Sequence, residues 1–292
     1  MFSVCTAAQP EVEAKQPVTV LVLHAGGRQG GAVVEALLAE PSSYEVWGTT
    51  RSKTTKEALE LKGVKVCLGN ACQSKKFIWD SLCTSKATVM FFCTREGHEE
   101  FIHGKEALEC AVKAKLNHVV YSSVCDAENM GKISAHAWMK KRIEDLMKLD
   151  PKFTPRFTIL RPVTIVDNII NSGDSKKEPL RSLAQPQTKL KLVTLADIGK
   201  AAVGAISNPS VWAGNTVDCV SFVSTGREIA AALGDGRVYQ PIRPGFCRCC
   251  DTEFKALVKY AESQSCPADL DKFVAIVPKP STLEEVIKAS KK

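Results

Sequence analysis

Short apolar runs alternate with amphipathic stretches along the first 160 residues. Runs rich in β-branched and other apolar residues are typical of buried parallel strands, and they occur at Val18–Leu23, Tyr44–Thr50, Val64–Leu68, Ala87–Cys93, His118–Ser123 and Arg156–Arg161. Apolar residues at helical spacing predict helices over Ala32–Glu40, Lys53–Lys62, Lys75–Thr84, Glu99–Lys115 and Ser134–Leu149. Such alternation predicts an α/β fold with a doubly wound parallel sheet, the Rossmann arrangement.

The rhythm changes after Pro162, and the remainder of the chain predicts a smaller C-terminal α/β lobe. Asn171–Leu190 is polar and rich in Gly, Ser, Pro and Lys, so we expect a surface loop near the mouth of the site. Further elements are expected at Leu195–Ser207, Thr216–Val223, Gly226–Leu233, Arg237–Pro241, Asp251–Glu262 and Thr282–Ser290. We divide the chain into a disordered leader (1–16), a Rossmann core (17–165) and the lobe (166–292), which we expect to cover the substrate side of the same domain.

A glycine-rich turn joins the first strand to the first helix, with the sequence His24-Ala25-Gly26-Gly27-Arg28-Gln29-Gly30-Gly31. A strand that enters a helix through glycines leaves backbone N–H groups free for an anion, and the helix dipole favours negative charge there. This pattern predicts a dinucleotide pyrophosphate site. The alternative is a plain strand-to-helix turn. His24 stands where a tight turn normally has glycine.

The end of the second strand indicates which nucleotide binds. An NAD site needs an acidic side chain there for the ribose hydroxyl, whereas this chain has Arg51. A guanidinium pairs well with a 2′-phosphate, and Ser52 and Thr55 can add hydrogen bonds, so NADP(H) is favoured over NAD. The alternative is a solvated turn arginine. Asn70, after the third strand, is placed either to contact the adenine or as an ordinary turn residue.

Composition and charge narrow the class of protein. The formal charge of +7 comes from scattered lysines and arginines, which suits an anionic cofactor and predicts no nucleic-acid partner. No apolar run approaches the ~20 residues of a membrane span, and the first residues lack the order of a signal peptide. We therefore expect a cytoplasmic protein with no membrane partner.

The chain has twelve cysteines, which we expect to be reduced in the cytoplasm. Cys247 and Cys250 stand at C-x-x-C spacing with Cys249 between them, but no second pair completes a zinc-finger pattern. A metal site or a redox-active thiol is one interpretation of this cluster, and exposed loop thiols are the other. We predict no metal site.

From Val18 to about Ile287 the chain resembles the NmrA-like family of atypical short-chain dehydrogenases. The residues that carry the resemblance are Gly27-Arg28-Gln29-Gly30-Gly31, Thr50-Arg51, Val119-Val120-Tyr121-Ser122-Ser123, His136 with Lys140, Leu160-Arg161-Pro162 with Asn168, and Val193-Thr194-Leu195-Ala196-Asp197-Ile198-Gly199. The resemblance implies NADP(H) bound by the His24–Gln29 loop, with Arg51 on the 2′-phosphate. It also implies Thr94 beside the cofactor, Lys140 on the nicotinamide ribose, and Val163, Thr164, Ile165 and Val166 along the nicotinamide.

Family members of this type include redox sensors whose partner binding depends on cofactor occupancy, and reductases of the isoflavone and quinone branches. Typical short-chain dehydrogenases donate a proton from a Tyr-x-x-x-Lys pair, with a serine orienting the substrate. Here His136 and Lys140 keep that spacing, and Ser122 or Ser123 ends the fifth strand, but tyrosine is absent. His136 is either a proton donor or a helix-surface residue.

Two functions follow from this comparison. The missing tyrosine favours a redox-sensing regulator with little or no dehydrogenase activity and a regulatory protein partner. The alternative is an NADPH-dependent reductase of a quinone, ketone or related small molecule, which would use Lys140 with Ser122 or His136.

Overall fold

The computed structural model describes residues 16–152, 156–172, 178–242, 248–263 and 265–291, with the backbone alone for residues 248–251. All but the last residue of the predicted leader lies outside this part of the chain. Cys247 and the side chains of Cys249 and Cys250 lie outside it as well. No helix in the described ranges is long and apolar enough to cross a membrane.

The described ranges contain twelve strands. They are β1 (Val18–Val22), β2 (Tyr44–Thr50), β3 (Lys65–Leu68), β4 (Val89–Cys93), β5 (His118–Ser122), β6 (Phe157–Pro162), β7 (Thr164–Ile165), β8 (Leu180–Ser182), β9 (Lys189–Val193), β10 (Thr216–Cys219), β11 (Phe222–Thr225) and β12 (Tyr239–Pro241). Seven of them form one parallel sheet in the order β10-β6-β5-β4-β1-β2-β3. The predicted doubly wound Rossmann sheet is confirmed.

In the same part of the chain, thirteen helices connect and flank these strands. They are α1 (Arg28–Leu38), α2 (Lys53–Leu61), α3 (Lys75–Ser85), α4 (Glu100–Lys113), α5 (Ala127–Met130), α6 (Ala135–Leu149), α7 (Val166–Ile170), α8 (Leu195–Ser207), α9 (Pro209–Trp212), α10 (Gly226–Leu233), α11 (Arg248–Ser263), α12 (Leu270–Phe273) and α13 (Leu283–Ser290).

Alternate residues of β1 point to opposite faces of the main sheet and enter two separate cores. Val20 and Val22 belong to the core under α1 and α8. Leu21 and Leu23 belong to the core under α3, α4 and α6. Because both faces are covered, the carboxyl ends of the strands remain as the place where a ligand can reach the sheet.

The C-terminal part of the chain contributes to both the main sheet and the smaller lobe. Thr216–Val223, predicted as one element of the lobe, is two strands: β10 extends the main sheet beside β6, and β11 pairs with β9. The lobe contains the sheet β11-β9-β7 and the pair β12-β8. Its own apolar core includes residues of α7, α10 and α13.

Two local predictions need correction. The segment Asn171–Leu190 is not a loop throughout, because β8 lies within it and Leu180 and Ala184 are fully buried in the lobe core. Helix α1 begins at Arg28, four residues before the predicted Ala32. Glycines disfavour a helix in isolation, but the packing of this first turn requires glycine at position 30.

Candidate functional site

The turn after β1 is held tightly by its own backbone. His24 has a φ of 57°, a left-handed conformation that histidine adopts more readily than most residues. The Gly27 N–H donates to the His24 carbonyl at 2.8 Å. A Cβ on Gly30 would lie 2.3 Å from that same carbonyl oxygen. The first turn of α1 can therefore pack against the loop only if residue 30 is glycine.

The start of α1 is open to an anion. Its N-cap is Gly27, and no side chain caps the first-turn N–H groups. A Cβ on Gly26 would lie 2.4 Å from Thr55 Cγ2, so a glycine here keeps the loop close to α2. Uncapped N–H groups at the positive end of a helix are suited to a phosphate or pyrophosphate.

A cavity of about 380 Å³ lies beside this turn, at the carboxyl ends of β1–β4, and we call it the glycine-turn cavity. Its lining residues are His24, Gly26, Gly27, Thr49, Thr50, Arg51, Ser52, Thr55, Gly69, Asn70, Cys72, Cys93, Thr94 and Arg95. These described residues include two arginines and no carboxylate. Arg95 was missed from the sequence, although a basic residue directly after the fourth strand was a usable signal.

Several polar groups of this cavity have structural partners already. Ser52 Oγ caps α2 by accepting from the Thr55 N–H at 3.2 Å. Asn70 Oδ1 accepts from the Cys72 N–H at 3.0 Å, as in an Asx turn. His24 Nε2 lies 3.3 Å from Cys72 Sγ. Burial and the charges of His103, Arg95 and Arg51 lower the pKa of His24, so its ring is neutral at pH 7.

Lys140 lies in a buried polar cluster next to the glycine-turn cavity. Only 5% of the residue is exposed. Its Nζ donates to Thr94 Oγ1 and to the Ser122 carbonyl, both at 3.2 Å, and lies 3.5 Å from Glu100 Oε1. The cluster joins the end of β4 to the end of β5, at the carboxyl edge of the main sheet where ligands of such folds bind.

Glu100 is the centre of that cluster, and the sequence analysis did not identify it. Thr94 Oγ1 donates to one carboxylate oxygen at 2.6 Å, and His136 Nδ1 lies 2.5 Å from the other. Burial favours a higher pKa for this carboxyl, but the His136 hydrogen bond and the Lys140 charge outweigh it and lower the pKa. Glu100 is therefore a carboxylate that neutralises Lys140 and orients His136.

The two predicted serines lie inside the protein. Ser122 is fully buried, and its Oγ donates to Gln29 Oε1 at 2.6 Å. Ser123 is 4% exposed, and its Oγ has no hydrogen-bond partner within the described part of the chain. Gln29 thus connects the glycine-rich turn to β5, a link between residues 93 positions apart.

A second cavity, of about 440 Å³, lies between the ends of β5 and β6 and the C-terminal lobe, and we call it the lobe cavity. Its lining is mainly apolar and includes Val124, Met130, Val163, Thr164, Leu190 and Leu257. Of the four residues predicted along the nicotinamide, Val163 and Thr164 line this cavity. Ile165 packs against the main core, and Val166 is fully buried in the lobe core.

Arg28, predicted in the cofactor loop, does not line the glycine-turn cavity. Arg28 Nη1 donates to Asn168 Oδ1 at 2.6 Å, which links the start of α1 to α7. The proposed metal or redox role of Cys247, Cys249 and Cys250 concerns side chains outside the described residues. Within the described ranges, no group of three or more His, Cys, Asp or Glu residues is arranged to hold a metal ion.

Comparison with known proteins finds a family model that covers most of this chain. The model of the NmrA-like family matches residues 16–237. The NmrA-like family domain-containing oxidoreductase lnaB of Aspergillus flavus is 23% identical over 259 residues, covering 75% of this chain and 74% of lnaB.

Two solved structures share the fold at low identity. NmrA, a negative transcriptional regulator crystallised with NADP and with NAD, has a TM-score of 0.74 at 16% identity, covering 94% of this chain and 95% of NmrA. The NADPH-dependent quinone oxidoreductase QOR2 of Escherichia coli, in complex with NADPH, has a TM-score of 0.73 at 17% identity. That alignment covers 94% of this chain and 100% of QOR2.

Proposed function

Because this chain belongs to the NmrA-like family, we propose that it binds NADP(H) along the carboxyl edge of its main sheet. The observation that carries the proposal is the glycine-turn cavity. It combines the uncapped start of α1 with Arg51 and Arg95, and its described lining has no carboxylate. A pyrophosphate suits the helix terminus, and a 2′-phosphate suits a guanidinium. NmrA and QOR2 have each been crystallised with a phosphorylated nicotinamide cofactor.

In this proposal each end of the cofactor has its own residues. The glycine-rich turn holds the pyrophosphate, Arg51 the 2′-phosphate and Lys140 the nicotinamide ribose. Val163 and Thr164 lie at the lobe cavity, beside the nicotinamide. When bound, NADPH supplies a hydride.

Substitution of Arg51 tests the cofactor. Charge-assisted hydrogen bonds contribute about 1.5–3 kcal/mol, so Arg51→Ala should weaken NADPH binding about 10- to 150-fold and leave NADH binding unchanged. Lys53→Ala is the matched control, because it removes an equal charge two residues away, outside the cavity lining. The readout is NADPH fluorescence titration. Equal NADPH affinity in the wild type and Arg51→Ala would refute the assignment.

For the role of the bound cofactor, a redox-sensing regulator is the first candidate. The side chains that a dehydrogenase would use are engaged with protein groups: Ser122 with Gln29, His136 with Glu100, and Lys140 with Glu100 and Thr94. Cofactor occupancy would then shift the population of a surface that a regulatory protein partner recognises.

An NADPH-dependent reductase is the second candidate, and the lobe cavity favours it. An apolar cavity of about 440 Å³ beside Val163 and Thr164 is of a size that accepts a small planar molecule. NADPH consumption with a panel of quinones and ketones separates the two roles. The regulator predicts no consumption above the substrate-free rate, whereas consumption that Lys140→Ala abolishes would establish the reductase.

A further inference from the structure

Two cysteines that are far apart in the sequence meet in the wall of the lobe cavity. Cys125 follows β5, and Cys266 follows α11. Their Sγ atoms lie 3.0 Å apart, although the residues are separated by 141 positions. Both residues line the cavity. A small shift of either side chain would bring the two sulfurs within bonding distance.

The backbones on both sides of this contact are fixed. The Cys125 N–H donates to the Pro162 carbonyl at 3.0 Å. Lys191 Nζ, on β9, donates to the carbonyl oxygens of Cys266 and Ala268 at 2.7 and 2.6 Å. The position of each thiol is therefore set by strands of the two sheets.

The two thiols differ in exposure and in acidity. Cys125 is 5% exposed, whereas Cys266 is partly accessible. The hydrogen bond from Cys125 lowers the pKa of Cys266 against the opposing effect of burial, and the Ala268 N–H and the charge of Lys191 lower it further. The same hydrogen bond, together with burial, raises the pKa of Cys125. Cys266 is thus the better nucleophile of the pair, since the thiolate is the reactive form.

We infer that Cys125 and Cys266 form a thiol–disulfide couple that small organic disulfides oxidise at the lobe cavity. The Cys266 thiolate attacks one sulfur of the small disulfide, which forms a mixed disulfide and releases one thiolate. Cys125 then attacks Cys266 Sγ, transfers its proton to the departing second thiolate and closes the protein disulfide. The proton that Cys266 gives to water when it ionises is taken up from water by the first released thiolate. In sum, two protein thiols lose two electrons, and the small disulfide gains them and becomes two thiols.

The bond would tie the segment after α11 to the end of β5 and so change the wall of the lobe cavity. That consequence for substrate or partner access rests on the proposed function, whereas the couple itself does not. Other cysteines serve as internal controls. Cys110 and Cys219 are buried and burial raises the pKa of both, whereas Cys83 is exposed.

The experiment maps disulfides in the full chain after reaction with 2,2′-dithiodipyridine, alkylation of the remaining thiols and trypsin digestion. The tryptic peptides 116–132 and 260–272 contain one cysteine each, Cys125 and Cys266, so a cross-link between them is unambiguous. We expect the linked peptide pair in the wild type, reversed by dithiothreitol.

Cys125→Ser should retain the pyridyl mixed disulfide on Cys266. Cys266→Ser should slow modification of Cys125 at least about tenfold, because a buried protonated thiol reacts poorly.

Recovery of the two peptides unlinked, while Cys83 carries the pyridyl group, would overturn the inference, as would a link from Cys266 to any other cysteine. The disulfide map of the wild type tests the inference by itself, even if a variant fails to fold. NADPH titration of the reduced protein is the separate test of the cofactor. Cross-linking without NADPH binding would leave the couple and refute the proposed function. NADPH binding without cross-linking would refute the couple and leave the proposed function standing.

Discussion

The glycine-turn cavity and the lobe cavity lie along the same edge of the main sheet but are built differently. The first uses residues 24–95, at the ends of four strands joined by helical crossovers, and it offers backbone N–H groups and guanidinium groups to a ligand. The second uses residues between 124 and 266, from the main sheet, the lobe sheet β11-β9-β7 and α11, and its lining is mainly apolar. The first is therefore specified by local turn chemistry, and the second by how the lobe packs on the core.

Between the two cavities, the Glu100 cluster joins the ends of β4 and β5, and its substitution should have the largest effect. Glu100→Gln leaves Lys140 buried without its counter-charge, which costs about 3–5 kcal/mol. We expect urea unfolding at pH 7 to show this loss. Glu57→Gln, an exposed carboxylate on α2, is the control and should change the free energy of unfolding by no more than about 0.5 kcal/mol.

The stability lost in Glu100→Gln should depend on pH. The pKa of Glu100 in the folded protein lies below its ordinary value of 4.5, so its stabilisation is present above that pH. It is lost as the pH falls through the lowered pKa. The difference in stability between the wild type and Glu100→Gln should therefore shrink below about pH 4.5. A constant difference from pH 7 to pH 3 would contradict the ionised pairing.

Gly30→Ala should have the next largest effect, and it tests whether the glycine-turn cavity depends on backbone packing. The added Cβ would meet the His24 carbonyl oxygen at 2.3 Å, and because that oxygen belongs to the backbone, the turn or α1 would have to shift. Overpacking of this kind costs about 1–3 kcal/mol, and we expect weaker NADPH binding as α1 moves away from the turn. Thermal unfolding and NADPH titration give the two readouts.

Gly31→Ala is the matched control. Its Cβ would lie 3.5 Å from the Ala25 carbonyl oxygen, an ordinary contact. The substitution should preserve NADPH affinity and can add up to about 1 kcal/mol of helix propensity. If both variants bind NADPH as the wild type does, the turn does not hold the pyrophosphate.

The smallest effect is expected when the lobe cavity is filled. Ala261 lines that cavity and not the glycine-turn cavity. Ala261→Leu should change NADPH affinity by no more than about twofold, because the groups proposed to hold the pyrophosphate, the 2′-phosphate and the nicotinamide ribose lie outside the lobe cavity, and separate contacts are close to additive. Fluorescence titration checks this expectation. A tenfold loss of affinity would mean that the nicotinamide end, in the lobe cavity, contributes much of the binding.

Much of the core and its first cavity could be predicted without the tertiary structure. The six predicted core strands and the helices that follow them agree with the structure to within a few residues. Of the predicted site residues, His24, Gly26, Gly27, Arg51 and Thr94 lie together along one edge. The physical reason is that the carboxyl ends of parallel strands lie on the same edge of a sheet, so residues directly after them are brought together.

Contacts between residues far apart in the sequence could not be predicted from the spacing of apolar residues. β10, which begins at residue 216, joins the main sheet by hydrogen bonding to the open edge of β6. The sequence of β10 does not indicate which strand it pairs with. From the sequence, Glu100 is expected to be an exposed residue at the start of a helix. In the folded chain it is enclosed between β4 and α6, where it contacts Lys140 and His136.

Sequence alone determined the parallel sheet, the glycine turn and the basic residue after β2, since each depends on residues adjacent in the chain. Only the tertiary structure decided that Ser122 is held by Gln29, that Lys140 is neutralised by Glu100 and that Cys125 meets Cys266. The physical reason is that contacts between distant residues depend on which surfaces are buried together, and burial is a property of the whole fold.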